Sequence, residues 1–269
     1  MILLRLLQIL AAAAIPTHRR GTLSAGALAF LFLGSVGIAA EPPAPTFHPG
    51  KVHIVLCGDS TVTDNAGWGG GFASRLKDSA ECINLAKGGR SSSSFIREGS
   101  WKRALELKPD YVFIQFGHND QPGHGDRETD PGTTYAQFMT QYVDEARAAG
   151  IKPVLVTSLA RREWKDGKIA SRLVPWVKAV KAIAAEKTVP LIDLHALSIE
   201  QYEQMGPGKV LEISPLKNAD SGSANADTTA TSTQSVDGTH LNENGGKLFG
   251  SIVAEEVKRV VPELAAHLQ

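Results

Sequence analysis

Residues 52–61 are VHIVLCGDST, an apolar run that ends in a polar turn. The first six residues, Val52–Cys57, are mostly β-branched or aliphatic, as expected of a parallel strand that is buried on both faces. The Gly58-Asp59-Ser60-Thr61 segment then places a serine just beyond the strand. A tight turn at this position exposes the serine hydroxyl and directs backbone N–H groups to one point. This stretch therefore predicts the first strand of a parallel sheet and a candidate nucleophile, Ser60.

Strand-like and helix-like segments alternate along the rest of the chain. Four further apolar runs predict strands at Cys82–Leu85, Tyr111–Phe116, Lys152–Ser158 and Val189–Leu194. Apolar residues at helical spacing and helix-ending residues predict helices at Trp68–Lys77, Trp101–Leu107, Thr134–Ala149, Val174–Glu186 and about Glu243–Val260. This alternation predicts an α/β fold with a parallel sheet covered by helices on both faces and right-handed crossovers.

The composition excludes several classes of protein. The chain has 269 residues, of which 42% are hydrophobic, enough for one large α/β domain. Its 28 basic and 28 acidic residues give a net charge of zero, which argues against a nucleic-acid-binding protein. Two cysteines exclude a disulfide scaffold, and Cys57 and Cys82 fall too far apart in the predicted sheet to form a bridge. We predict that both are buried thiols.

Residues 1–40 are predicted to be a signal peptide or an N-terminal anchor. Their charged residues are three arginines, and the uncharged, apolar run 21–40 ends in small residues. We expect cleavage after Ala39 or Ala40. The alternative is a membrane anchor through residues 21–40, because twenty apolar residues can just span a bilayer. Either outcome predicts a secreted or periplasmic protein with no other membrane contact.

Two further segments complete the predicted organisation. Residues 41–50 are predicted to form a proline-rich linker, and residues 51–269 a single domain, which we expect to be monomeric. The polar segment 218–235 lacks periodicity and interrupts the α/β pattern. Its composition favours a flexible surface loop, with a lid over the site as the alternative.

Four polar blocks mark the expected site. Ligands of open parallel sheets bind outside the carboxyl ends of the strands, so these blocks are expected to converge at one edge. The blocks are Gly58–Thr61, Asn84–Ser91, Gly117–Asp120 and Asp237–His240.

Ser60, His240 and Asp237 are the candidate catalytic residues. A serine hydroxyl needs a neighbouring base, and a histidine base needs an acid that fixes its tautomer. Asp237 lies three residues before His240, close enough along the chain to reach the imidazole ring. The structural alternatives are a helix N-cap for Ser60 and a surface loop capped by Asp237. The competing histidines, which lack a comparably placed acid or lie away from the edge, are His53, His118, His124 and His195.

Gly89 and Asn119 are the candidate oxyanion-hole donors, together with the Ser60 N–H. A tetrahedral intermediate needs two or three donors directed at its developing charge. Gly89 lacks a side chain, so its N–H can approach closely, and the Asn119 amide can donate. The alternatives are a plain turn at Gly89 and an Asx-turn at Asn119.

Neither a metal nor a nucleotide site is predicted. His118, Asp120, His124 and Asp126 could be drawn as a metal site, but no second ligand pair of standard spacing supports it. The glycine-rich stretch at residues 67–71 matches neither phosphate-binding motif. We therefore expect no metal and no cofactor.

Taken together, these blocks resemble the SGNH, or GDSL-type, hydrolases and, more closely, the rhamnogalacturonan acetylesterase family. The resemblance extends over residues 52–260 and rests on Gly58–Val62, Gly67–Gly69, Asn84–Ser91, Arg97–Gly99, Phe116–Asp120 and Asp237–His240. It implies a flavodoxin-like three-layer α/β/α sandwich with a five-stranded parallel sheet, and it implies catalysis without metal or cofactor. It also implies that the substrates are acetyl esters on pectic polysaccharides.

The expected function is a serine esterase that deacetylates a polysaccharide, most closely pectic rhamnogalacturonan, through an acyl-enzyme. Arginine would pair with a uronate carboxylate, and tryptophan would stack on a sugar ring. The candidate substrate-binding residues, which are equally compatible with solvated loops, are Arg90, Gln121, Arg161, Arg162 and Trp164. The alternatives are an SGNH lipase or thioesterase and a non-catalytic secreted carbohydrate-binding protein.

Overall fold

A five-stranded parallel sheet forms the centre of the molecule. The computed structural model describes residues 45–216 and 236–269, so the predicted signal or anchor and the polar segment 218–235 lie outside the described residues. The strands are β1 (Val52–Gly58), β2 (Ala80–Asn84), β3 (Tyr111–Gln115), β4 (Lys152–Val156), β5 (Trp164–Lys165), β6 (Lys168–Ile169) and β7 (Leu191–Ile192). The sheet has the order β2-β1-β3-β4-β7, and β5 pairs with β6 in a separate hairpin. From β1 the chain adds β2 on one side and then β3, β4 and β7 on the other, so the strand order reverses between β1 and β3. Ligands of such folds bind at this point.

Helices cover both faces of this sheet. They are α1 (Gly69–Ala73), α2 (Ser92–Arg97), α3 (Ser100–Glu106), α4 (Thr134–Ala148), α5 (Val174–Lys187), α6 (Leu194–Lys209) and α7 (Glu243–Val260). Successive residues of a strand point to opposite faces, so Ile54 and Leu56 of β1 pack with α1, α6 and α7. Val55 and Cys57 pack with α2 to α5 on the other face. The predicted three-layer α/β/α sandwich with five parallel strands is confirmed.

The differences from the predicted elements have local causes. Helix α1 ends at Ala73 instead of the predicted Lys77 because residues 75–77 pair with the C-terminal segment: the Lys77 N–H donates to the His267 carbonyl, and the Arg75 carbonyl accepts from the Gln269 N–H. The predicted strand Val189–Leu194 shrinks to β7 because Asp193 accepts a hydrogen bond from the Ala196 N–H and so caps α6. Helix α2, helix α6 and the β5–β6 hairpin were not predicted, because each is short or lacks a clear apolar period.

Both cysteines are free thiols, as predicted. Cys57 is fully buried, whereas Cys82 is only partly buried. Burial raises the pKa of both thiols far above the usual value, so neither is a thiolate at neutral pH. Among residues 45–216 and 236–269, no helix has the length and hydropathy needed to cross a membrane.

Helices α1 and α7 pack so closely that their contact admits only glycine. A Cβ atom added at Gly71 would lie 2.0 Å from the carbonyl oxygen of Gly246, and one at Gly250 would lie 2.2 Å from the carbonyl carbon of Gly71. Backbone atoms cannot give way cheaply at such distances. The contact matters for the site, since α1 follows the Ser60 turn and α7 follows His240.

We predict that Gly250→Ala destabilises the protein by about 1–3 kcal/mol or more, despite the better helix propensity of alanine, because the methyl group overpacks the α1–α7 contact. Thermal unfolding followed by circular dichroism measures the effect. Gly208→Ala is the matched control, because a Cβ there meets nothing within 4 Å. Equal melting temperatures for Gly250→Ala and the wild type would contradict this account.

Candidate active site

The turn after β1 holds Ser60 at the carboxyl edge of the sheet. The buried Asp59 carboxylate accepts hydrogen bonds from the Thr61 N–H at 2.9 Å and the Thr61 hydroxyl at 2.7 Å. The Ser60 carbonyl accepts one from the Thr63 hydroxyl at 2.7 Å. Ser60 does not cap a helix, because α1 begins only at Gly69 and has no side-chain cap. Its hydroxyl remains partly exposed and available to other partners.

A buried polar network fixes this turn from below. Trp68 donates to the Gln115 side-chain oxygen at 2.9 Å, and Gln115 in turn donates to the Thr61 hydroxyl at 2.7 Å. The second oxygen of Asp59 lies 3.3 Å from His118 Nδ1. Burial raises the pKa of Asp59, but the charge and hydrogen bonds of His118 and Thr61 outweigh burial and lower it. The sequence suggested no acid partner for His118, and the structure provides Asp59.

Ser60, His240 and Asp237 come together, although 180 positions separate the serine from the histidine. His240 Nε2 lies 2.8 Å from Ser60 Oγ, and His240 Nδ1 lies 2.7 Å from Asp237 Oδ2. The other Asp237 oxygen accepts from the backbone N–H groups of Thr239 at 2.6 Å and His240 at 3.0 Å. This arrangement lets the histidine take the serine proton while the aspartate fixes its ring.

The carboxyl group of Asp237 stays ionised in this setting. Its partial burial raises the pKa, but hydrogen bonds from His240 and Thr239 outweigh that effect and lower the pKa to about 2. A permanently charged carboxylate beside the imidazole favours the imidazolium that forms when a histidine acts as a base.

Arg162 holds the Asp237–His240 turn from behind. The Arg162 guanidinium donates to the carbonyl oxygens of Asp237 at 2.8 Å and His240 at 2.5 Å, and to the Tyr202 hydroxyl at 3.2 Å. Its backbone N–H donates to the Gly238 carbonyl at 2.7 Å. Only 8% of Arg162 is exposed. The Arg162 guanidinium is therefore bonded to oxygen atoms inside the protein, which disfavours its predicted sugar contact.

The three predicted oxyanion donors lie on neighbouring turns. A Cβ on Gly88 would lie 3.7 Å from Ser60 Cβ, so the Gly88–Gly89 turn lies against the serine. Gly89 has a φ of +77°, a conformation that favours glycine. Within the described residues, the N–H groups of Ser60 and Gly89 have no hydrogen-bond acceptor. The Asn119 side-chain amide donates one N–H to the Arg90 carbonyl at 3.0 Å, and within the described residues its second N–H has no acceptor.

Asp120, which was not singled out as part of the predicted acyl-transfer site, anchors the loop that carries Asn119. Its buried carboxyl accepts hydrogen bonds from the Ser92 hydroxyl at 2.5 Å, the Ser92 N–H at 3.1 Å and the Thr129 hydroxyl at 2.8 Å. Burial raises the pKa of Asp120 to about 7, although these hydrogen bonds oppose the shift. The signal in the sequence was its place directly after Asn119 at the end of β3.

The other predicted sugar-binding residues lie around this edge in different settings. Arg90 pairs with Glu98 at 2.8 Å, so its guanidinium already has a carboxylate. Gln121 is 8% exposed, and its side-chain oxygen lies 3.4 Å from Arg161, which is partly buried. Trp164 lies on the β5–β6 hairpin and packs partly against the core. A sugar contact for these residues stays a prediction.

Among the described residues, no group of three or more histidine, cysteine, aspartate or glutamate side chains is placed to hold a metal ion. In particular, His118 and Asp120 of the four-residue set considered above bond to Asp59 and to Ser92 and Thr129, respectively.

Comparison with known proteins identifies the family. Residues 56–248 match the family model described as GDSL-like Lipase/Acylhydrolase family. The chain belongs to that family. It is 36% identical over 227 residues to the rhamnogalacturonan acetylesterase RhgT of Bacillus subtilis, covering 81% of this chain and 94% of that protein. It is 34% identical to the probable rhamnogalacturonan acetylesterase YesY of the same organism, covering 77% of this chain and 93% of that protein.

Solved structures support the fold of this GDSL-like hydrolase. The crystal structure of Bacillus subtilis YxiM matches with a TM-score of 0.63 at 23% identity, over 78% of this chain and 56% of that one. A catalytic mutant of an acetylxylan esterase from Geobacillus stearothermophilus matches with a TM-score of 0.55 at 16% identity, over 79% of this chain and 95% of that one. The family and its acetylesterase relatives make this chain a carboxylic ester hydrolase.

We predict that Arg162→Met lowers the kcat of this GDSL-like hydrolase up to about 100-fold with little change in KM, because the Asp237–His240 turn loses its support. It also costs about 1–3 kcal/mol of stability, because two carbonyl groups lose their donor. Hydrolysis of p-nitrophenyl acetate and thermal unfolding measure the two effects. Arg259→Met on α7 is the control, since Arg259 pairs with Glu256 at the surface. A rise in KM alone would instead assign Arg162 to substrate binding.

Proposed function

We propose that this protein is a serine acetylesterase that removes O-acetyl groups from pectic rhamnogalacturonan by a Ser-His-Asp acyl-enzyme mechanism. The observation that carries the proposal is a continuous chain of two hydrogen bonds. Ser60 Oγ lies 2.8 Å from His240 Nε2, and His240 Nδ1 lies 2.7 Å from Asp237 Oδ2. A protein that only binds carbohydrate has no use for a base oriented in this way.

In the first half-reaction, Ser60 Oγ attacks the acetyl carbonyl carbon while His240 Nε2 takes its proton. The carbonyl oxygen becomes negatively charged, and the N–H groups of Ser60 and Gly89 and the free hydrogen of Asn119 stabilise it. Collapse of the intermediate breaks the bond between the acetyl carbon and the sugar oxygen. His240 gives its proton to that oxygen, and the sugar hydroxyl leaves.

In the second half-reaction, His240 takes a proton from a water molecule that attacks the acetyl-serine. The same donors stabilise the second tetrahedral intermediate. When it collapses, Ser60 regains its proton from His240, and acetic acid leaves and loses its proton to the solvent as acetate. Asp237 stays ionised throughout and favours each imidazolium state, consistent with its low pKa.

The substrate class is inferred from the relatives and from the polarity of the site. The two relatives named above are a rhamnogalacturonan acetylesterase and a probable one, each covered over more than nine-tenths of its length. A long acyl chain would need an apolar approach. The residues described around Ser60 are mostly polar or charged, among them Arg90, Asn119 and Arg161, which favours a sugar over a long acyl chain.

We also propose that residues 1–40 direct the chain out of the cytoplasm and that the domain acts as a monomer on its polymeric substrate. An extracellular or periplasmic location suits an enzyme for a polysaccharide that cannot cross a membrane. N-terminal sequencing of the exported protein tests cleavage after Ala39 or Ala40, and light scattering tests the oligomeric state. A retained N-terminus in the membrane fraction would favour the anchor.

We expect acetate release from acetylated rhamnogalacturonan to exceed release from acetylated homogalacturonan, xylan and mannan.

Ser60→Ala is expected to lower turnover by at least about 10³-fold without unfolding the protein, because the change removes only the nucleophile. Ser79→Ala is the control, since Ser79 is exposed just before β2 at the opposite end of the sheet. Faster cleavage of p-nitrophenyl octanoate than of the acetate would favour a lipase, and no turnover of any ester would favour a binding protein.

Asp237→Asn is expected to lower kcat up to about 10⁴-fold, because the neutral amide no longer favours imidazolium. It also changes the dependence of stability on pH. The pKa of Asp237 falls from 3.8 to about 2 on folding, so the ionised carboxylate stabilises the fold above about pH 4 and ceases to do so as the pH falls toward 2.

Melting temperatures of wild type and Asp237→Asn between pH 2 and pH 7 measure this linkage. The difference is expected to be largest at neutral pH and to shrink below about pH 4. The control is Asp78→Asn, at an exposed aspartate. A difference that stays constant across the range would contradict the assigned ion pair.

A further inference from the structure

Four arginines of the surface have a carboxylate within salt-bridge distance, in the pairs Arg90–Glu98, Arg97–Asp126, Arg172–Glu163 and Arg259–Glu256. Three others, Arg75, Arg103 and Arg147, have none and contact elements outside the site. Within the described residues, Arg127 and Arg161 also have none, and both lie next to the catalytic loops. Each is partly buried, so its charge is also incompletely hydrated.

Arg127 lies against the turn that carries the oxyanion donor Gly89. Its Nη1 donates to the Gly89 carbonyl at 2.8 Å, and its Nε donates to the His124 carbonyl at 3.2 Å. A guanidinium has five N–H donors, so three remain uncommitted. The Gly88–Gly89 turn packs on Ser60, so Arg127 contacts the turn that borders the proposed nucleophile.

Arg161 lies on the other side, next to the base. Its Nη1 donates to the hydroxyl of Thr239, the residue before His240, at 2.6 Å. Its Nη2 has only long contacts, 3.4 Å to the His118 carbonyl and 3.4 Å to Gln121, and its Nε is buried with no partner. This guanidinium is therefore held in place but poorly satisfied.

The acidic groups near Arg161 are already bound elsewhere. Burial lowers the pKa of Arg161, and the charges of Glu163, Asp59 and Asp237 oppose that effect. Glu163 is paired with Arg172, Asp59 bonds to His118 and Thr61, and Asp237 bonds to His240. None of them makes a salt bridge to Arg161.

Arg127 and Arg161 act on the same neighbour. Burial lowers the pKa of His124, and the charges of Arg127 and Arg161 lower it further, opposed by Glu128. The Glu128 carboxylate is committed to the loop itself, because one oxygen accepts from the N–H groups of Gly123, His124 and Gly125 at 2.8–2.9 Å. Arg127 and Arg161 thus form one cationic face beside His124, whose lowered pKa favours the neutral imidazole.

The loop that carries His124 and Arg127 is held in place by hydrogen bonds and a salt bridge within the protein. Its base is closed by the Thr129 N–H, which donates to the Asp120 carbonyl at 2.9 Å, and by the Thr129 hydroxyl, which donates to the Asp120 carboxyl at 2.8 Å. Its outer side is tied by the Arg97–Asp126 salt bridge at 2.9 Å. A rigid loop binds a charged ligand with little loss of conformational entropy.

We propose that Arg127 and Arg161 bind a carboxylate of the substrate, so that the enzyme selects acetylated sugar chains that contain uronic acid over neutral or methyl-esterified ones. Planar guanidinium groups match the two oxygens of a carboxylate, and a partly buried site strengthens the pairing. This inference rests on the proposed acetylesterase function and deepens it. It assigns specificity to Arg127, and it moves the expected uronate contact away from Arg90 and Arg162.

The test compares two forms of one substrate, an acetylated galacturonate oligosaccharide and its methyl ester. Acetate release gives kcat/KM for each, and the readout is the ratio of the two values. The wild type is expected to favour the free acid by at least about tenfold, and Arg127→Gln and Arg161→Gln are each expected to bring the ratio several-fold closer to one. The preference is also expected to weaken in high salt. Arg259→Gln is expected to keep the wild-type ratio.

A binding measurement separates failure of this inference from failure of the proposed function. Calorimetric titration of Ser60→Ala with the same two oligosaccharides needs no turnover, and tighter binding of the free acid, lost on adding Arg127→Gln, supports the carboxylate site. Acetate release with a ratio near one in the wild type would overturn the site and leave the esterase intact. An equal loss on both substrates in Arg127→Gln would assign Arg127 to support of the Gly89 turn and also overturn the proposal.

Discussion

The rest of the site depends on the hydrogen bonds of the buried Asp59 carboxylate. An ionised carboxyl without exposure to water is costly unless several donors compensate it, and here Thr61 and His118 do so. Thr61 belongs to the turn after β1, and His118 belongs to the loop after β3. The hydrogen bonds that compensate this one charge therefore join the loop of Ser60 to the loop of Asn119. The two loops follow β1 and β3, between which the strand order reverses.

The second half of the site follows the same logic with a buried positive charge. The Arg162 guanidinium satisfies the carbonyl groups of Asp237 and His240, while the Asp237 carboxylate satisfies N–H groups of the same turn. Each charge is fixed by backbone groups of one short segment, so contacts within residues 237–240 and with Arg162 set the position of the histidine. Rigid support of this kind keeps reorganisation during the reaction small.

The sheet and the triad could be predicted from the sequence because they depend on local patterns. Apolar runs predicted the central strands, and polar blocks after β1, β2 and β3 and before α7 predicted the edge where Ser60 and His240 meet. Long-range pairing could not be predicted in the same way. Nothing near His118 in the sequence points to Asp59, and nothing near Arg162 shows that its guanidinium turns inward to Tyr202 rather than outward to a sugar. Arg127 was missed because its partner, the Gly89 carbonyl, is 38 residues away.

The close glycine packing of α1 on α7 constrains the distance between Ser60 and His240. One helix begins just after the nucleophile turn and the other just after the base, and the Leu241 N–H also donates to the Ala66 carbonyl at 2.9 Å across the same boundary. Backbone contacts thus join the two helix starts, so the distance between Ser60 and His240 depends on main-chain packing rather than on flexible side chains. Moderate heating that loosens this boundary would silence the enzyme while the sheet behind it is still intact.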